Sequence, residues 1–245
     1  MRIAVISDIH ANLAAFEAVI ADFGEVDEVW CLGDVIGYGP DPNECVERLR
    51  RLPRFVCLPG NHDYAALGLI DVRDFNPVAR TAAIWTREQL TDENASYLER
   101  LPQTLVRDDF FLVHASPRQP IWEYVLEESQ AAENLAFFDT PYCLLGHSHI
   151  PLVFRERPNQ SRNPMGRFMG KPGIEVSLGD ERMIINPGSV GQPRDRDARA
   201  AYGLIDLEER TFEFRRVEYD IAATQRKMAD AGLPKPLAER LAVGW

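Results

Sequence analysis

Five short segments of the chain end an apolar run with polar residues: ISDIH, CLGD, LPGNHD, LVHA and LLGHSH. They hold Asp8, His10, Asp34, Asn61, His62, Asp63, His114, His147 and His149, and with them all five histidines of the protein. Imidazole, carboxylate and amide donors without thiolate suit Mn, Fe, Co, Ni or Zn. His147 and His149 have one residue between them, so on an extended backbone both rings project from one face. That arrangement serves a metal, a phosphate or a satisfied turn. Any one of these residues alone reads as a cap, a turn or a core group. Taken together, at the ends of successive apolar runs, they predict a shared metal site.

The elements that must gather them follow from the pattern of the chain. RIAVIS has strand length and runs into Asp8. NLAAFEAVIADFG then sets Leu13, Phe16, Val19, Ile20 and Phe23 at helical spacing, with Gly24 as a stop. EVWCLG leads to Asp34, PNECVERLRRL reads as a helix with Pro42 near its start, and RFVCLPG leads to Asn61. This β-α-β-α-β order predicts a parallel sheet covered by helices. Such a sheet presents the carboxyl ends of its strands on one edge, where ligands bind. Residues 77 to 101 read as helical with a break near Thr91 and Asp92, DFFLVH and YCLLG as strands, and 122 to 138 as a helix. Beyond residue 150, PLVFRER, GIEVSL, RMIIN, AYGLIDL and TFEFRRVEY alternate in short runs and predict an antiparallel second sheet. Residues 158 to 173 read as a long exposed loop, and the stretch from about 221 as a helix ending in a polar, proline-containing segment. No linker divides the chain, so a single domain over residues 1–245 is expected.

Composition narrows the partners. Apolar content is 45% and the formal net charge is −11, so the surface repels a polyanion and duplex nucleic acid is not expected. A small substrate is. No apolar run reaches the roughly 18 residues of a membrane span, and the start of the chain turns polar too soon for an export signal. The four cysteines form no CxxC pair, and three lie in apolar runs. They read as reduced thiols of a cytoplasmic protein. Oligomeric state is left open.

The series Asp8-x-His10, Gly33-Asp34, Gly60-Asn61-His62-Asp63, His114 and Gly146-His147-x-His149 resembles the calcineurin-like metallophosphoesterase superfamily, with all five blocks in order. INPGSVGQPR, residues 185 to 194, resembles a segment of its small bacterial and archaeal phosphodiesterase branch. The resemblance implies an α/β sandwich of two facing mixed sheets flanked by helices, with the site at the carboxyl ends of the strands. It implies two divalent ions, one held by Asp8, His10, Asp34 and His149, the other by Asp34, Asn61, His114 and His147. Asp34 would bridge them. Two metals roughly 3.5 to 4 Å apart lower the pKa of water, neutralise phosphate charge and align in-line attack. The histidine at position 62 would be the general acid rather than a ligand. Asp63 is placed to orient it, with a plain turn carboxylate as the alternative. Glycines before Asp34, Asn61 and His147 are expected to let the backbone turn sharply.

The expected activity is hydrolysis of phosphodiesters or nucleotide-type phosphoanhydrides. Phosphomonoester or phosphoprotein hydrolysis is the rival within the class. A non-catalytic metal-binding scaffold is the rival outside it, and no donor is missing here as that reading would require. The chain has no GxxxxGK[ST], HExxH or GxSxG. GYGPDP lacks the third glycine of a dinucleotide fingerprint and reads as an active-site loop. NPGSVGQPR could meet a phosphate with backbone amides and Arg194, or be a plain turn.

Overall fold

The computed structural model describes residues 1–158 and 164–245. In chain order its elements are β1 (Arg2–Ile6), α1 (Leu13–Phe23), β2 (Glu28–Cys31), α2 (Pro42–Arg50), β3 (Phe55–Cys57), α3 (Asn61–Leu67), α4 (Pro77–Gln89), α5 (Asp92–Glu99), β4 (Thr104–Arg107), β5 (Phe110–Val113), α6 (Glu128–Asn134), β6 (Tyr142–Leu144), β7 (Leu152–Glu156), β8 (Met165–Met169), β9 (Glu175–Ser177), β10 (Met183–Asn186), β11 (Ala200–Asp206), β12 (Thr211–Val217), α7 (Ile221–Asp230) and α8 (Lys235–Leu241).

These strands make two six-stranded sheets, ordered β3-β2-β1-β11-β12-β9 and β4-β5-β6-β10-β7-β8. Each is mixed. In the first, β1, β2 and β3 run parallel and β11 joins antiparallel to β1. In the second, β5, β6 and β10 run parallel while β4 and β7 flank them antiparallel.

Strand alternation explains how both faces of each sheet are buried. In β1, Ile3 and Val5 enter the space between the sheets, where they meet Trp30, Leu112, Leu144 and Ile185. Ala4 and Ile6 point the other way, under Phe16 and Val19 of α1 and Val46 and Leu49 of α2. On the far side of the second sheet, Cys143, Phe154 and Ile184 pack with Ala131 of α6 and with Phe138. The layers are therefore helix, sheet, sheet, helix. Each fully buried large side chain contributes about 1.5–3 kcal/mol.

Local signals account for most boundaries. Thr91 caps α5 by accepting a hydrogen bond from Asn94 N, which ends α4 where the break was expected. Gly24, at φ 60°, stops α1.

Four expectations need correction. The alternating strands after residue 150 form no sheet of their own: β9, β11 and β12 complete the first sheet, and β7, β8 and β10 the second. Alternation shows that one face of a strand is buried but not which sheet receives it. The loop read at 158–173 contains β8, paired antiparallel with β7, while residues 159–163 lie outside the described residues. Residues 122–127 are not helical; α6 starts at Glu128, behind a capping box of Glu127 and Gln130. The polar segment after α7 folds into α8. No helix among the described residues is long and apolar enough to cross a membrane.

Candidate metal centre

The strands β1, β2, β3, β5 and β6 deliver the nine candidate residues to one edge, and all nine are buried. The chain leaves these strands in unusual ways. Asp8, His10, Asp34, His147 and His149 all have left-handed backbones, with φ between 50° and 62°. That conformation is uncommon for non-glycine residues and clusters at functional sites. His147 and His149 are therefore not on an extended backbone, and their rings join different groups of donors. Asp8, His10, Asp34 and His149 converge in one set, and Asp34, His114 and His147 in a second, each with ligand atoms within 4.8 Å of one another. Asp34 is common to both.

The distances show how closely the donors crowd. In the first set His10 Nε2 lies 3.1 Å from His149 Nε2 and 3.6 Å from Asp34 Oδ2. His149 Nε2 is 3.3 Å from Asp8 Oδ1. In the second, His114 Nε2 lies 3.4 Å from Asp34 Oδ2 and 3.2 Å from Asn61 Oδ1. Carbonyl partners orient the rings. His114 Nδ1–H donates to Leu32 O at 2.9 Å and His149 Nδ1–H to Gln192 O at 2.6 Å, so both turn Nε2 into the cluster. His147 Nε2–H donates to Trp122 O at 3.2 Å, which leaves Nδ1 for the cluster. An imidazole whose outer nitrogen is tied to a carbonyl is oriented as a metal ligand.

The donor set fits divalent cations. Asp8 Oδ1 and Asp34 Oδ2 are buried oxygens without a hydrogen-bond partner, and both face imidazole nitrogens across the cluster. Buried charges are costly unless paired or bound to metal. Burial works against the charge of Asp34, but His114 and His62 hold its pKa well below the ordinary value. Burial opposes the charged form of His114 too, yet Asp34 raises its pKa to about 9. Burial lowers His147 to about 3 and His62 to about 4.

His62 sits in the first turn of α3. Its backbone N–H donates to Asp34 Oδ1 at 2.8 Å. Its ring lies 4.1 Å from Tyr38, 4.9 Å from His10 and 5.0 Å from Phe75. Asp63 is not its orienting partner. One Asp63 oxygen accepts the amides of Gly60 (2.8 Å) and Val35 (3.3 Å), the other that of Ile36 (3.0 Å). It is a clamp between the Asp34 and Asn61 loops. Burial and the neighbouring Asp34 raise its pKa to about 7.

The glycines also differ from expectation. Gly33 does turn, at φ 102°. Gly60 is extended, and its role is space: a Cβ there would overlap Asp34 Oδ1. At Gly146 a Cβ would overlap Ser7 Oγ and stand 2.8 Å from Asp8 Oδ2. Several amides of NPGSVGQPR are already used. Val190 N and Gly191 N donate to Ser7 O and Asp8 O, Arg194 N to His149 O, and Gln192 N to Ser189 Oγ. The segment ties the Asp8 and His149 loops together, and its Arg194 side chain remains for a ligand.

Sequence reading missed two neighbours of the site. Tyr124 stacks on His147 at 4.0 Å and 20°, but it was hidden in an expected helix. Arg240, which shares Gln192 Oε1 with Arg194, lies in α8 and carried no motif.

Fold and site together define a metal-binding phosphoesterase. The Calcineurin-like phosphoesterase superfamily domain matches residues 1–210, and the chain belongs to that superfamily, as a hydrolase acting on phosphoric ester bonds. A metallophosphoesterase from Sphaerobacter thermophilus superposes with a TM-score of 0.91 at 47% identity, over 100% of this chain and 99% of the other. An uncharacterized protein of Methanocaldococcus jannaschii is 39% identical over 249 residues, 99% of this chain and 98% of its own. A symmetrical bis(5'-nucleosyl)-tetraphosphatase of Pectobacterium carotovorum is 29% identical over 135 residues, 53% of this chain and 48% of its own.

Proposed function

We propose that the protein is a two-metal phosphoesterase that hydrolyses phosphodiesters or nucleotide-type phosphoanhydrides, with His62 as general acid. The observation that carries this reading is the pair of overlapping buried donor sets joined at Asp34. Asp8, His10, Asp34 and His149 would hold one ion, and Asp34, Asn61, His114 and His147 the other. Mn, Fe, Co, Ni and Zn all suit these donors. When bound, the ions would supply charge neutralisation at the phosphate and a lowered pKa for water.

The chain's own residues do the rest. Asp34 keeps Oδ1 on the His62 amide and Oδ2 free between the two sets. His62, enclosed by Tyr38 and Phe75, is protonated once the negative charge of a bound phosphate offsets the burial that lowers its pKa, and gives that proton to the departing oxygen. Arg194, whose guanidinium lies 5.9 Å from the same Tyr38 ring that packs on His62, brings positive charge to that side of the site. The similarity to a tetraphosphatase supports the nucleotide side of the substrate class. The same reading takes the chain as one domain, because the inter-sheet core draws on residues from Ile3 to Phe214. Four buried, free cysteines favour a reducing compartment such as the cytoplasm.

The test is hydrolysis of bis(p-nitrophenyl) phosphate with and without added Mn, together with metal analysis. We expect Mn-dependent turnover and two ions per chain, one against Asp8 and His149, the other against Asn61 and His114. Inertness toward every phosphate ester in the metal-loaded state, or one ion bound outside these residues, would overturn the reading.

A further inference from the structure

We propose that the cleft walled by Tyr38, Tyr124, Arg194, Arg240 and Trp245 binds a second phosphate and the base of a nucleotide, so that the natural substrate is a nucleoside polyphosphate cleaved at a phosphoanhydride. This rests on the phosphoesterase reading above and narrows its substrate class.

The cleft has a volume of about 300 Å³ and is lined by those five residues and Asn76. Two of its walls touch residues of the metal centre. The Tyr38 ring stands 4.6 Å from His10 and 4.1 Å from His62, and Tyr124 lies flat on His147. A ligand in the cleft is thus next to whatever the metal centre holds.

Charge identifies one part of the ligand. Arg194 Nη2 meets Gln192 Oε1 at 3.0 Å and Tyr38 OH at 3.5 Å. Arg240 Nη1 meets the same Gln192 oxygen at 3.2 Å. The two guanidiniums therefore share one neutral oxygen. The Nε of each is buried without a partner. Among the described residues neither arginine forms an ion pair, although the chain has 38 acidic residues and 27 basic ones. Two other arginines of the same region are paired, Arg199 with Asp197 and Arg216 with Asp195. Two like charges held together without a counter-ion favour an added dianion, and paired guanidinium forks match the oxygens of a phosphoryl group.

Shape identifies the other part. Tyr124 and Trp245, 42% and 61% exposed, present aromatic surface at the rim. Aromatic side chains in this position stack on bases. The rim is held in place: Arg196 N donates to Gly244 O at 2.8 Å, and the Arg196 guanidinium lies over the Trp245 ring at 5.7 Å. Gly244, at φ 64°, lets the segment pass against Asp197, where a Cβ would come within 2.7 Å of backbone. Beneath it, Leu237 and Leu241 of α8 pack in one cluster with Met228 of α7 and Tyr38.

The reaction balances without a further reagent. The oxygen of water bonds to the phosphorus at the metal centre and the P–O–P bridge breaks. The neighbouring phosphate leaves with the bonding electron pair, and a proton is released to solvent. Arg194 and Arg240 face the charge that gathers on the leaving phosphate.

Calorimetric titration of the Mn-loaded protein tests the cleft, with adenosine 5'-(α,β-methylene)diphosphate, AMP and methylenediphosphonate as probes. The wild type should bind the methylene nucleotide at least about tenfold more tightly than AMP, because AMP lacks the second phosphate. Arg240→Ala should weaken the methylene nucleotide by roughly 10–100-fold and narrow its advantage over AMP. Should that variant not fold, Arg240→Lys keeps the charge without the fork and should show a smaller loss in the same direction. Trp245→Ala should weaken the methylene nucleotide by about 5–100-fold while leaving methylenediphosphonate nearly as before. Equal wild-type affinity for the methylene nucleotide and AMP, or equal losses for both in Arg240→Ala, overturns the proposal. Bis(p-nitrophenyl) phosphate hydrolysis by the wild type separates the two readings. If it proceeds while the titrations fail, only the cleft assignment falls. If the protein cleaves no phosphate ester, the proposed function falls and the titrations still decide what the cleft binds.

Discussion

His62 and His114 are both buried imidazoles, yet their surroundings differ. His114 is tied through Nδ1 to Leu32 O and turns Nε2 toward Asp34 and Asn61. His62 is wedged between Tyr38, Phe75 and His10, and its Nδ1 has no partner. Replacing His62 by Ala should leave metal content unchanged and lower turnover by about 10²–10⁴-fold on an alkyl diester, the range of a lost general acid. A nitrophenyl diester should suffer far less, since nitrophenolate leaves without a proton. His114→Gln should instead lose metal and depress both substrates alike. Loss of an ion from His62→Ala, seen by metal analysis, would make His62 a ligand.

At the scale of elements, the site depends on loops held by contacts remote in sequence. Residues 116–127, expected in part to be helical, are an irregular loop organised around Glu123. Its carboxylate accepts from Ser116 Oγ at 2.6 Å and Asn134 Nδ2 at 3.0 Å and pairs with Arg118. The loop carries Trp122 O to His147 and lays Tyr124 on the same ring. Burial opposes the charge of Glu123, but Arg118, Ser116 and Asn134 lower its pKa. A lowered folded pKa contributes stability above the unfolded value of about 4.3 and loses it as pH falls through the folded value. Glu123→Gln should therefore cost about 1–2 kcal/mol near pH 7, with the gap to wild type closing below about pH 4. Denaturant melts at the two pH values check this, and a gap that does not shrink on acidification would show that the carboxylate charge is not what holds the loop. Asp63 works likewise between two other loops. Asp63→Ala frees the Gly60, Val35 and Ile36 amides and should lower metal affinity as well as melting temperature. Retained affinity on calorimetric titration would show that the clamp does not position the donors.

For the whole molecule, the core and the site are separable. The inter-sheet cluster of Val5, Trp30, Leu144, Ile185 and their neighbours involves none of the donor side chains. Removal of metal with a chelator should leave a folded, cooperatively melting protein. Its stability should be lower, because Asp8 and Asp34 then face each other's charge across a buried space. Mn should restore about 2.7 kcal/mol per site at a free concentration a hundred times Kd. Calorimetry reads both steps. Unfolding on chelation would mean that metal supports the fold itself, and an unchanged melting temperature would mean that no metal had been bound.

The convergence of the candidate donors and the parallel half of the fold were legible in the sequence, for a local reason. Strand length, helical spacing and the polar residues that end each apolar run are properties of neighbouring residues. The carboxyl edge of a parallel sheet then gathers those ends wherever they lie in the chain. Alternation likewise marked the later strands, but the choice of sheet for β9, β10 and β11 depends on side-chain fit across the whole core, and a period of two carries no trace of it. The same limit applied within the site. Which nitrogen of His147, His114 or His149 faces inward is decided by backbone carbonyls of Trp122, Leu32 and Gln192, and a carbonyl has no sequence identity. Asp63 looked like a partner for its neighbour His62 and instead reaches amides 27 and 28 residues away. Arg194 meets Tyr38 across 156 positions and Arg240 joins through Gln192. Tertiary structure alone could create that cleft, because its chemistry lies in the distance between side chains and not in any of them singly.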